Sequence, residues 1–300
     1  MVLGRRRGRR PVRWTRAFMF VDNREKARVS MPQGSIPPSV RETYGPQNLS
    51  AAEPFAGGFI NFGDWTGIPL DERLTRDDRI RSQQNLYRRV LRTLEPTEGR
   101  RAVEVGCGLG LGCALALREF GFAEVTGVDI HPQQLERARQ ATTGAPGVTP
   151  ERLTLVRGAA EDIPLPNASF DRVYSVEAAQ HFRDLAAFAR QAHRVLEPGG
   201  RLTVTSFFAA DDAPATAASL ARLLDSYAEG LDVAHSIGGF EAALSAAGFR
   251  DVTTDSIGDA VWTGLDRYLE GTGARESWPR NFLRAYSSGL LDYHVVTAVA

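Results

Sequence analysis

Lysine is nearly missing from this 300-residue chain: Lys26 is the only one, so arginine supplies almost all of the positive charge. The 36 Lys and Arg match the 36 Asp and Glu, for a formal net charge of +0. A neutral chain has no general attraction for nucleic acid or for an anionic membrane, and neither is expected as a partner. Long apolar runs are also lacking. None approaches the roughly 18–20 residues needed to span a bilayer. Only two cysteines occur, Cys107 and Cys113, close together in one glycine-rich stretch. They offer no disulfide framework, and no Cys/His spacing matches a metal site, so no metal and a reducing, cytoplasmic setting are expected. What remains is ordinary globular composition, 43% hydrophobic and 24% charged, in a chain long enough for one large core or two modest ones.

The positive charge is uneven. Arg5, Arg6, Arg7, Arg9, Arg10, Arg13 and Arg16 crowd the start. A nucleic-acid arm or a transit peptide would look like this. So would a tail without structure, or a start placed upstream of Met19 or Met31, and the lack of apolar periodicity favours these. Residues 1–40 are therefore expected to be a disordered basic tail and linker. Residues 41–98 form an N-terminal cap. It holds the aromatic, glycine-rich stretch PFAGGFINFGDWTGIPL and a helix from Leu74 to Leu94, with Leu86, Val90, Leu91 and Leu94 on one face. Pro96 and Gly99 close that helix.

From 99 to 300 strands and helices alternate. Strands are expected at 102–105, 124–130, 153–156, 170–176 and 201–206, with helices between them, which implies an α/β fold with a mostly parallel sheet. A helix from Pro214 to Gly230 and another from Gly239 to Ala247 follow. Two closing strands, Phe249 to Ile257 and Tyr293 to Val299, bracket an excursion, Asp266 to Leu291, that carries Trp278, Phe282 and Tyr286 on helices.

The chemistry is concentrated in Val103-Glu-Val-Gly-Cys-Gly-Leu-Gly-Leu-Gly112. Gly106, Gly108 and Gly110 allow a tight strand-to-helix turn that a ligand can approach closely. Asp129 ends the second strand about 20 residues on, where an acid in such folds accepts ribose hydroxyls. A glycine turn alone does not choose between a dinucleotide and another nucleoside cofactor.

Four segments in order decide between them. EVGCGLG, GVDIHPQQLERAR, GAAEDIPLPNASFDRVYSVEAAQHF and AHRVLEPGGRL, over about residues 100–206, resemble class I S-adenosylmethionine-dependent methyltransferases. The resemblance implies a Rossmann-like sheet of seven strands in the order 3-2-1-4-5-7-6, the last strand antiparallel. It also implies S-adenosyl-L-methionine as cofactor. Glu104 and the Gly106/Cys107/Gly108/Gly110 turn would then face its amino-acid part, Asp129 the ribose, Ile130 the adenine, and Gln134 the hydroxyls. Relatives often carry an acid after the third-motif glycine, where this chain has Ala159. Adenine contact falls instead to backbone near Ala160, or to Glu161 or Asp162.

A narrower resemblance, to methyltransferases of natural-product sugars, macrolides and lipids, rests on Phe59-Ile-Asn-Phe-Gly-Asp-Trp65 and on VEAAQHF. It implies lid elements from the N-terminal segment and from insertions at about 208–238 and 259–290. Tyr44, Trp65 and Glu177 would lie against the cofactor. An aromatic face suits a sulfonium cation; the alternative, given less weight, is that Phe59, Phe62 and Trp65 form a small hydrophobic cluster. His181 follows the fourth strand and is the candidate base; His235 is a weaker one, and His193 reads as structural. Gln180, His235, Trp262, Trp278, Phe282 and Tyr286 are candidates for a largely apolar pocket that takes a small-molecule acceptor. O-methylation of a secondary metabolite leads, in a monomer or homodimer. N- or C-methylation and a cyclase-like protein that only binds the cofactor are alternatives. A nicotinamide dehydrogenase is disfavoured, since no Tyr-x-x-x-Lys pair exists.

Overall fold

The computed structural model describes residues 36–272 and 278–300. The arginine-rich start lies outside the described residues, as does the side chain of Trp278. The N-terminal part contributes α1 (Pro38–Tyr44) and α2 (Arg76–Thr93), and the alternating region begins with β1 (Arg101–Val105) and α3 (Leu111–Glu119). It continues through β2 (Glu124–Asp129), α4 (Pro132–Thr142), β3 (Leu153–Arg157), β4 (Phe170–Val176), α5 (Leu185–Val195) and β5 (Leu196–Ala209). The later part holds α6 (Pro214–Leu223), α7 (Asp225–Ala228), α8 (Ile237–Ala246), β6 (Arg250–Ser256), α9 (Gly258–Glu270), α10 (Asn281–Ser287) and β7 (Leu291–Val299).

All seven strands join one sheet in the order β3-β2-β1-β4-β5-β7-β6. Strands β1 to β5 pair in parallel, and β7 runs antiparallel to both β5 and β6. This is the order and sense that the resemblance implied. The pleat sends alternate residues to opposite layers. Val103 and Val105 of β1 pack with Phe188, Ala192 and Phe240 of α5 and α8, whereas Ala102 packs with Leu86, Val90 and Leu115 of α2 and α3.

Local signals explain the element ends. Thr75 and Asp78 form a reciprocal capping box at the start of α2, and Asp184 accepts from Ala187 N at 2.8 Å to start α5. The inner face of α2 is not purely apolar. Arg79, Ser82 and Gln83 are buried beside Leu86 and Val90. Arg79 Nε donates to Pro54 O at 2.8 Å, Nη1 to Phe62 O at 3.0 Å, and Nη2 to Asn61 O. Gln83 Nε2 donates to Phe59 O. Polar side chains of one helix thus satisfy the carbonyls of the irregular 54–62 stretch, which has no ladder of its own.

Three expectations need correction. Helix α1 starts at Pro38, with Ile36 and Val40 buried, so structure begins inside the stretch expected to have none. The helix expected from Pro214 to Gly230 breaks at Leu224, whose extended backbone (φ −125°, ψ 115°) separates α6 from α7. Finally, α9 already spans Gly258–Glu270, ahead of the excursion anticipated from Asp266.

Candidate active site

The sheet order reverses between β1, whose next strand lies on one side, and β4, which lies on the other. Loops leaving the carboxyl ends of these two strands diverge there and open a cleft, the usual ligand site of such sheets. The glycine turn leaves β1 at this point. Gly106, Gly108 and Gly110 all have positive φ (80°, 51° and 67°), a region that costs other residues about 1–2 kcal/mol. A Cβ on Gly106 would also run into the Cβ of Ala178, just after β4. Above Gly108 the nearest group is Gln134 Nε2 at 3.9 Å, so backbone is open to a ligand there. The first turn of α3 has no side-chain cap, which leaves its N–H groups for an anionic partner such as a carboxylate.

Asp129 closes the other wall. Its Oδ2 accepts from Gly108 N at 2.9 Å and its Oδ1 from His131 N at 2.8 Å, which fixes the carboxylate while each oxygen retains a lone pair. Burial pushes its pKa up to about 6 against the pull of those two amides. Gln134 is buried over the turn, its Oε1 accepting from Arg137 at 3.0 Å, and Cys107 Sγ packs against Gly127. Ile130 and Ala160 lie on the same edge. Ala160 is buried and Ile130 partly so. An uncapped helix end, an open glycine floor and an oriented carboxylate together fit a nucleoside that carries an amino-acid tail.

Other expected cofactor contacts are placed differently. Glu104 is fully buried and turned toward the α2/α3 layer. Tyr87 donates to its Oε1 at 2.9 Å, and Cys113 and Tyr174 to its Oε2 at 2.9 and 3.3 Å, so three protein donors already hold it and only Oε1 retains a lone pair. Glu161 Oε1 accepts from Arg183 N at 2.7 Å and serves the loop before α5, while Asp162 is exposed. Trp65 does not face the cleft. Its ring packs against Gly264 of α9 and Tyr268, with the Arg79 guanidinium 5.7 Å from the ring centre, because the missing Cβ at Gly264 provides the slot.

Glu104 also predicts a pH effect. Burial pushes its pKa up to about 7 despite the three donors. The folded state therefore keeps this proton where the unfolded chain has lost it. The contribution to stability is full below about pH 4.5 and is lost as pH rises to about 7, by about 3 kcal/mol. Urea unfolding of wild type and Glu104→Gln at about pH 5 and about pH 8 tests this. The wild type should lose stability relative to the variant at the higher pH, and parallel curves would contradict the assignment.

The acceptor side is built by three segments distant in sequence. His181 ends a short 3-10 turn, Ala179–His181, after β4. Its Nδ1 lies 3.1 Å from Leu231 O and 3.0 Å from Asp232 Oδ1, and its Nε2 lies 2.7 Å from Tyr44 Oη at the end of α1. Asp232 is buried, and its Oδ1 lies off the ring N–H direction. Sequence reasoning missed Asp232 because nothing around it in LDVAH has a recognisable pattern. Tyr44, expected at the methionine part, is hydrogen-bonded to His181. Arg137 holds its backbone, donating to Tyr44 O and Gly45 O at 2.7 Å each.

Gln180 bridges elements: its Nε2 donates to Glu177 O at 3.0 Å and its Oε1 accepts from Ser206 at 2.6 Å. Glu177 sits at the end of β4 with φ +50°, and its Oε2 accepts from Phe62 N and Tyr293 Oη, both at 2.7 Å. His235 Nε2 donates to Phe182 O at 2.7 Å, which commits that nitrogen to backbone. His193 packs edge-on to Phe249.

Trp262 and Phe282 are brought together, stacked at 5.3 Å in a buried cluster with Phe62, Phe207 and Tyr293. Tyr286 only packs against its edge, partly buried. Its hydroxyl donates to Asp259 at 2.6 Å near the surface. Among the described residues, no group of three or more His, Cys, Asp or Glu could hold a metal, and no helix is long and apolar enough to cross a membrane.

Comparison with known proteins agrees with this geometry. A family model described as a methyltransferase domain matches residues 103–204. A Mycobacterium ulcerans (strain Agy99) protein named as a phthiotriol/phenolphthiotriol dimycocerosates methyltransferase is 33% identical over 76% of this chain and 77% of its own length. The 27-O-demethylrifamycin SV methyltransferase of Amycolatopsis mediterranei (strain S699) is 29% identical over 72% of this chain and 76% of its own. In fold, the crystal structure of the 4+2 cyclase SpnF superposes with a TM-score of 0.66 at 19% identity, covering 88% of this chain and 97% of that one. Kinship over three quarters of the sequence, on a fold that gathers the same motifs at one sheet edge, makes this chain a member of the S-adenosylmethionine-dependent methyltransferase family.

Proposed function

We propose that the protein methylates a hydroxyl of a small, largely apolar secondary metabolite and that His181 is the base for the acceptor's proton. The carrying observation is the carbonyl of Leu231 beside His181 Nδ1. A carbonyl can only accept, so Nδ1 bears the ring proton and Nε2 presents a lone pair. S-adenosylmethionine, when bound, supplies an electrophilic methyl on a good leaving group. The residues of the chain then have two tasks, alignment and proton removal. Alignment can contribute several kcal/mol, and a positioned base about 10²–10⁴-fold in rate.

Asp129 and Gln134 would hold the ribose, the start of α3 the amino-acid carboxylate, and Ile130 and Ala160 the adenine. Glu177 would lie near the sulfonium, with Trp262 and Phe282 in the apolar wall of the acceptor site. The name of the rifamycin relative, which specifies an oxygen, supports a hydroxyl acceptor. Calorimetry with S-adenosylhomocysteine and with NAD tests the cofactor assignment. The former should bind and the latter should not, and Asp129→Ala should weaken binding by about 1–3 kcal/mol, since ribose hydroxyls would lose their acceptor. NAD binding without a S-adenosylhomocysteine signal would overturn the reading.

A further inference from the structure

The lone pair on His181 Nε2 is not open to the cleft, because Tyr44 Oη lies on it at 2.7 Å. With Nδ1–H directed at Leu231 O, Nε2 must accept, so the phenol is the donor. Three carboxylates act on that phenol: Asp232 from the segment after α7, Glu177 from the end of β4 and Asp129 from the end of β2. Burial above all, and then these carboxylates, raise the Tyr44 pKa well above its usual value, so the group stays a neutral donor. A phenol whose proton is already committed to an imidazole has oxygen lone pairs to offer. Tyr44 is also held at that place from the cofactor side. Arg137 binds the carbonyls of residues 44 and 45, and His131 Nε2 donates to Arg41 O at 3.2 Å.

The geometry points to Tyr44 as the catalytic residue that meets the acceptor hydroxyl and relays its proton to His181. The proposal rests on the reading of His181 as base and adds the route. The acceptor O–H proton passes to Tyr44 Oη as the Tyr44 proton passes to His181 Nε2. The acceptor oxygen keeps the electron pair of the broken O–H bond and uses it to form the new bond to the methyl carbon, while the sulfur keeps the pair of the bond it loses. The positive charge that leaves the sulfonium reappears on the imidazolium, 3.0 Å from the Asp232 carboxylate. The phenol is regenerated. Asp232 is a positioning residue here, since it acts only through the ring.

Nitrogen-15 NMR of histidine-labelled protein with bound S-adenosylhomocysteine tests the relay without any acceptor. His181 should show a pyrrole-type Nδ1 and a pyridine-type Nε2. In Tyr44→Phe the Nε2 signal should move toward that of an unbonded pyridine-type nitrogen. The opposite tautomer, with the proton on Nε2, would overturn the proposal, because the phenol could not then donate. A second arm uses simple phenol as the hydroxyl probe. Tyr44→Phe should lose about 10²-fold in kcat while S-adenosylhomocysteine affinity is kept. Unchanged or faster turnover would mean that Tyr44 only caps the base, which sinks the relay and leaves His181 standing. Turnover of phenol by His181→Ala at the wild-type rate would instead remove the base reading itself. If wild type does not turn phenol over, the NMR tautomer and the Tyr44→Phe shift decide alone.

Discussion

Replacing His181 with alanine is expected to lower kcat by about 10²–10⁴-fold and to leave cofactor affinity nearly unchanged. The two effects separate because the imidazole contacts Tyr44, Gln180, Leu231 and Asp232, and makes no hydrogen bond to Asp129 or Gln134. Single-turnover kinetics, combined with calorimetry using S-adenosylhomocysteine, measures both. A fall in kcat accompanied by an equal fall in affinity would instead mean that the histidine only shapes the cleft, since Nδ1 ties the segment after α7 to the end of β4. Unchanged kcat would clear His181 and leave alignment as the main contribution of the protein.

Replacement of Arg79 by methionine should destabilise the protein by roughly 2 kcal/mol or more. Arg79 is fully buried, and its guanidinium serves the carbonyls of Pro54, Asn61 and Phe62. Removing it leaves the Pro54 and Asn61 carbonyls without donors, at about 1 kcal/mol or more each, and leaves Phe62 O with Trp65 Nε1 alone, at 3.2 Å. Burial lowers its pKa only to about 10, so it remains charged near neutral pH. Among the described residues no carboxylate touches it directly. The Asn61–Phe62 peptide lies between, accepting from Arg79 through its carbonyl and donating to Glu177 through its N–H. The variant should therefore also loosen Glu177 and the aromatic stretch that carries Phe62. Urea unfolding gives the first effect, and increased hydrogen exchange across residues 54–65 the second. A variant with wild-type stability would show that the loop is held by its aromatic packing alone.

The two variants probe residues that differ in how well the chain advertises them. His181 lies in a recognisable segment, whereas Arg79 sits at a position where helical periodicity leads one to expect a leucine. A buried arginine is visible only once the 54–62 carbonyls that it satisfies are in place.

By itself the sequence determined the local devices. Gly106, Gly108 and Gly110 specify a turn with three positive φ values because other residues are penalised there. Asp129 follows at the end of the short second strand, Glu124–Asp129, which the alternation of strands and helices predicts, so its two amide donors, Gly108 and His131, are near neighbours of motifs already in view. Alternation of strands and helices gave the parallel sheet, and the motif resemblance gave its order. What the tertiary structure decided are the partnerships between segments. Tyr44 and His181 are 137 positions apart, and His181 and Leu231 are 50 apart. Whether Nε2 is an acceptor depends on a backbone carbonyl, which no side-chain pattern encodes. The same holds for Glu104, whose partners Tyr87, Cys113 and Tyr174 arrive from α2, α3 and β4, and for Trp65, whose place depends on an absent Cβ in α9. Backbone conformation is set by neighbouring residues and can be read along the chain. Hydrogen-bond satisfaction and close packing in the interior depend on which elements meet, and only the folded sheet brings those elements together.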